Sequence, residues 1–156
     1  MKTKFRIALT LAAAVLIIGL FSAEPAVSVL ANTNCVQVQG RSTGIFNGVS
    51  VDLTFTGAGI LNGTGEFTFD FSSLRPTADA NSFTYLGEYT INTQQGQVKL
   101  NAVALDTAGV PFIHTDIAHV NPNTSTGRFA GATGVIFTKG DGASAEHNGE
   151  ICFATN

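Results

Sequence analysis

The sequence predicts an all-β protein, an eight-stranded antiparallel barrel with a β-sandwich as the alternative. Three observations carry that expectation. Almost every segment after residue 34 alternates apolar and polar residues with period two, the pattern of strands with one buried face. Short Gly/Asn/Asp-rich turns separate these segments, and no amphipathic helical run intervenes. The only two cysteines, Cys35 and Cys152, lie at opposite ends of the alternating region.

Residues 1–31 are set apart from that region. Met1 to Arg6 is basic, Ile7 to Phe21 is apolar apart from one threonine and one glycine, and small residues lead to Val29-Leu30-Ala31. This is the pattern of a secretory signal peptide of bacterial style. Cleavage is expected after Ala31, with Ala23 the alternative, and the apolar run is short for a membrane span, which needs about 20 residues. Asn32 stands three residues before Cys35, where a lipoprotein would carry leucine. The remaining 125 residues, 32–156, suit one domain. The expected location is secreted or periplasmic, with no membrane attachment after cleavage.

Residues 32–156 carry five Lys/Arg against ten Asp/Glu, with no basic cluster. Nucleic acid is therefore not an expected partner, because nothing would release its counterions. In an oxidising compartment two cysteines are most simply a disulfide. No His or Cys sits around either at metal-ligand spacing, so no metal and no cofactor is expected.

Taken in order, Cys35-Val36-Gln37-Val38-Gln39 is the first strand, with the valines inward and the cysteine outward. A Gly/Ser/Thr/Asn-rich stretch then reads as a turn. Val49 to Thr56 and Glu66 to Phe71 alternate without error, the second placing Phe67, Phe69 and Phe71 on one face. Gly57 to Gly65 between them supplies turn chemistry and a bulge. Ser72 to Ser82 reads as a polar connection with room for one helical turn. Phe83 to Ile91 and Gln97 to Ala104 form a hairpin around Gly96, and Asp106-Thr107-Ala108-Gly109 reads as a turn. Pro111 opens a strand running to Val120, a position that tolerates a missing N–H. Ser125 to Thr138 reads as a late, glycine-rich strand on which the barrel bends shut. Ser144 to Phe153 is the last strand, with Ile151 and Phe153 inward and Cys152 outward. Two outward cysteines can bond only if the first and last strands are neighbours, which favours a sheet closed on itself.

Thr126-Gly127-Arg128-Phe129-Ala130-Gly131-Ala132-Thr133-Gly134, preceded by Gly87-Glu88-Tyr89-Thr90-Ile91 and the Gly96 hairpin, resembles small secreted bacterial β-barrels related to the allene oxide cyclase and dirigent barrels. The likeness covers roughly Phe83 to Phe153, with Ser125 where the group usually has a first glycine. It implies an eight-stranded antiparallel barrel with an apolar interior. In the plant members that interior holds a lipid epoxide or phenolic radicals. No catalytic residue of those proteins carries over to a position here.

Candidate chemistry is sparse. Phe67, Phe69, Tyr85, Tyr89 and the inward His147 are the expected lining of an interior ligand site, suited to a small apolar molecule. His114-Thr115-Asp116-Ile117-Ala118-His119 is the densest ionisable group. Parity places His114 and Asp116 together and His119 opposite, and the expectation is a solvated face with Thr115 and Ile117 inward. Arg128 is expected as a surface cation, and His147 as a buried neutral histidine bonded to backbone. No nucleophile elbow, HExxH, phosphate loop or dinucleotide fingerprint occurs, so the catalytic residues are unknown. Three functions follow: a non-catalytic barrel binding a small apolar ligand or a surface partner, a cyclase- or dirigent-like enzyme, or a structural envelope component.

Overall fold

The computed structural model describes residues 34–109, 112–141 and 143–154; the expected signal peptide and Pro111 lie outside the described residues. Eight strands follow in order: β1 (Cys35–Phe46), β2 (Ser50–Thr56), β3 (Gly63–Pro76), β4 (Ser82–Thr93), β5 (Gly96–Thr107), β6 (Ile113–Val120), β7 (Thr133–Gly140) and β8 (Ser144–Cys152). Each pairs antiparallel with the next, and β8 returns to β1, closing an up-and-down barrel. The barrel prediction holds over the sandwich. Closure leaves no unpaired sheet edge, the usual hazard of an exposed strand. Among the described residues no helix is long and apolar enough to cross a membrane.

The seam is the β1–β8 ladder, where Cys35 and Cys152 are directly opposite and joined by a disulfide. Both side chains lie on the outer face, because Val38 and Ile151, their inward-facing neighbours in β1 and β8, are fully buried. The bridge closes a loop across 117 positions of sequence, a long constraint on the unfolded chain.

Three expected boundaries are corrected. β1 does not end at Gln39 but runs to Phe46 through Gly40 and Gly44. These glycines face inward, where a Cβ on Gly40 would stand 2.5 Å from the Ala58 backbone. β3 continues past Phe71 to Pro76, with its register against β4 shifting between Asp70 and Arg75. The largest correction concerns Ser125 to Ala132, which is a cap and not strand. A 3-10 turn at Gly127–Phe129 drives Phe129 into the barrel end, and only from Thr133 does the chain pair as β7. Thr126 and Arg128 donate backbone N–H bonds to Gln97 O and Gln95 O. Gly127 has φ +61°, and a Cβ there would stand 2.4 Å from Gln95 O. Only glycine allows that backbone conformation and that approach.

A second 3-10 turn, Gly59–Leu61, buries Leu61 at the same end. With Val38, Ile91, Val98, Leu100 and Ile151 these residues make a solid core. Among the described residues the other end has no such 3-10 inserts. Its β1–β2, β3–β4 and β7–β8 connections are tied locally, Asn47, Asp79 and Asp141 each accepting a backbone N–H bond two residues on, from Val49, Asn81 and Ala143.

Candidate functional site

The uncapped end opens into a cavity of about 390 Å³, within the range of small-molecule pockets. Its aromatic wall comes from the inward positions of β3 and β4, as their period-two pattern requires. Phe67 packs against Tyr89 with ring centroids 4.4 Å apart and the planes tilted by 42°, and Phe69 contacts Tyr85 at 5.4 Å. Gly87 permits this packing, since a Cβ there would meet the Phe67 ring at 2.3 Å. Towards the rim the wall continues through Phe46, Phe71, Phe83 and Phe112. Of the expected lining residues, Phe67, Phe69, Tyr85 and Tyr89 border this cavity and His147 does not. His147 lies deeper, beside a small void of about 10 Å³ shared with Tyr89 and Thr138.

The inner part of the cavity is polar, and its residues were not foreseen as a group. His114 and Asp116 face inward from β6, so the expected solvated face is overturned: Ile117 is exposed and Asp116 buried. The expected turn at Asp106 is likewise β5, its side chain continuing the inward series Val98, Leu100, Ala102, Ala104. Asp106 and His114 are register partners, which brings the pair together. His114 Nδ1 is 2.6 Å from Asp106 Oδ1, and Nε2 is 2.8 Å from Asp116 Oδ2. The Tyr85 hydroxyl donates to Asp106 Oδ2 at 2.8 Å, and the Tyr89 hydroxyl donates to Asp116 Oδ2. The inward alanines 102, 104 and 118 leave the room that both tyrosines need. Asp116 Oδ1 is buried without a hydrogen-bond partner among the described residues.

Electrostatics follow from these contacts. Burial pulls the His114 imidazolium down, but hydrogen bonds to and charge on Asp106 and Asp116 outweigh it and hold the group up at about 9. At neutral pH both ring nitrogens then carry protons, each donated to a different carboxylate. Burial, followed by the Asp106 charge, raises the Tyr85 phenol; burial and Asp116 do the same for Tyr89, so both hydroxyls stay protonated. His147 behaves oppositely, burial lowering it to about 4. It is neutral as expected, but its partners are the side-chain hydroxyls of Thr138 (3.1 Å) and Ser42 (2.8 Å), not backbone. His119 is exposed on the outer face. Arg128 is exposed too, lying over the Phe153 ring at 4.3 Å and donating to Gln95 Oε1.

No family model, curated protein or solved structure matches this chain. The site is therefore interpreted from its own chemistry. It offers a deep apolar wall, a cluster of two carboxylates around one imidazolium, and hydroxyls already engaged.

Proposed function

We propose that this protein is an exported, disulfide-tied β-barrel that binds a small, largely apolar ligand in its open end. The observation that carries the reading is the aromatic-walled cavity of about 390 Å³, beside which the deeper void of about 10 Å³ is small. Burial of apolar surface supplies affinity in such a site at about 25 cal/mol per Å², and a few polar groups fix orientation. The disulfide is in keeping with an extracytoplasmic location. Nile red, a neutral dye, tests the reading: one saturable site is expected, lost when Leu53→Trp fills the cavity while the melting transition remains. Absence of saturable binding to the wild type overturns it.

A cyclase- or dirigent-like enzyme is the alternative, favoured by the convergence of Tyr85, Asp106 and His114 on the cavity. Acid–base work, however, needs a group with a free lone pair or a releasable proton near the substrate. His114, whose two ring nitrogens both face carboxylates, has no free lone pair to act as a base, and this favours binding over a histidine-driven turnover. A surface partner has a separate support. Leu86, Val103, Ile117 and Phe137 are successive register partners across β4 to β7, and all four are exposed, forming an apolar row on the outer wall. Sedimentation at increasing concentration tests whether a second copy covers that row; a monomer throughout removes self-association.

A further inference from the structure

The inner cavity determines which polar head group its ligand carries. Each ionisable donor there is already committed: Tyr85 O–H and His114 Nδ1–H to Asp106, His114 Nε2–H and Tyr89 O–H to Asp116. What remains toward the cavity is acceptor capacity, on the Tyr85 oxygen and on Asp106, since a carboxylate oxygen has lone pairs beyond the one each donor uses. The other deep hydroxyl, Ser42, is neutral and shared with His147. Two carboxylates surround one imidazolium, so the cluster is net negative, and more so were the imidazole neutral. Among the described residues no lysine or arginine lines the cavity, whereas Asp70 at its rim adds another carboxylate. The wall is lined by the rings of Phe46, Phe67, Phe69, Phe71, Phe83 and Phe112, and the face of such a ring attracts a cation through its quadrupole.

A fatty acid entering head-first would bring a second negative charge to a negative cluster with no charged donor to receive it. Taking such an ion out of water without a partner is strongly unfavourable. A protonated amine would meet acceptors at the inner end and π-faces along the wall. Resting on the ligand-binding reading above, we propose that the cavity selects hydrophobic amines, bound with the ammonium group against Tyr85 and Asp106, over hydrophobic carboxylates.

Competition at neutral pH against bound Nile red tests this on the disulfide-bonded protein, with dodecylamine and dodecanoate each below its micelle concentration. Dodecylamine is expected to displace the dye at a concentration at least about tenfold lower than dodecanoate, which corresponds to about 1.4 kcal/mol. Equal potency, or a preference for dodecanoate, overturns the proposal while leaving ligand binding intact. If neither the dye nor either amphiphile binds, measured by calorimetry, the binding reading itself fails. In Asp106→Asn the gap is expected to narrow several-fold; an unchanged gap in a folded variant also overturns the proposal. The wild-type comparison decides on its own should that variant not fold.

Discussion

The two ends of this barrel are built from the same eight strands and differ in what is put between them. At the end bearing the disulfide, two connections turn inward as 3-10 turns and insert Leu61 and Phe129, leaving a void of only about 10 Å³ beside Leu61. At the other end no connection buries an apolar side chain among the described residues, and large aromatics stand around an opening: Phe71 is 61% exposed while Phe129 is fully buried. Buried apolar area at the capped end stabilises the fold, whereas the same residue type at the open end leaves its area uncovered around the cavity mouth. The Tyr85–Asp106–His114–Asp116–Tyr89 network lies between the two regions. Its interlocking bonds span β4, β5 and β6, so it acts as the polar base of the cavity.

This division can be broken by substitution at either end. Phe129→Ala should have the largest effect, a loss of about 3–5 kcal/mol from an emptied core site, read by denaturant unfolding. Dye affinity per folded molecule should be unchanged. Reducing the disulfide, or Cys35→Ser with Cys152→Ser, should cost about 2–4 kcal/mol, again without altering the cavity in molecules that remain folded. A comparable drop in dye affinity in either case would show that the ends are not independent.

The two buried histidines sharpen the comparison through pH. His114 is raised in the folded state, so its contribution is complete below the ordinary imidazole pKa near 6.5 and is lost as pH rises through about 9. His147 is depressed, so its contribution is complete above about 6.5 and is lost as pH falls towards about 4. Each is worth up to about 3 kcal/mol at 1.36 kcal/mol per pKa unit. Unfolding free energy should therefore peak near neutrality and decline on both sides. His147→Gln should flatten the acid limb and leave the alkaline one. The smallest effect is expected for Phe71→Ala at the rim: within about 0.5 kcal/mol in stability, with weaker dye binding as the only clear change.

Much of the fold was legible from residue parity alone. The alternation at Glu66 to Phe71 and Phe83 to Ile91 placed Phe67, Phe69, Tyr85 and Tyr89 inside, and the outward cysteines implied the β1–β8 seam. Glycines caused the misreadings. Gly40 and Gly44 looked like turn residues, yet they are inward strand positions where neighbouring elements approach too closely for a Cβ. Gly127 and Gly131 looked like strand kinks, yet both have positive φ and belong to a cap. The polar cluster was missed because Ile117 and Thr115 seemed better inward residues than His114 and Asp116. Burying an acid is unfavourable unless a partner waits for it, and that partner lies on another strand. Carrying the Val98-Leu100-Ala102-Ala104 parity two residues further would have turned Asp106 inward and supplied one.

An NMR titration of the isotope-labelled protein with a neutral apolar ligand such as dodecanol tests the central claim most directly. Saturable shift changes are expected at Phe69, Phe83, Tyr85 and Phe112, with Leu61, Phe129 and Phe153 unmoved. Changes centred on the capped end or on the outer row from Leu86 to Phe137, or no saturable change at all, would contradict a barrel whose open end is its binding site.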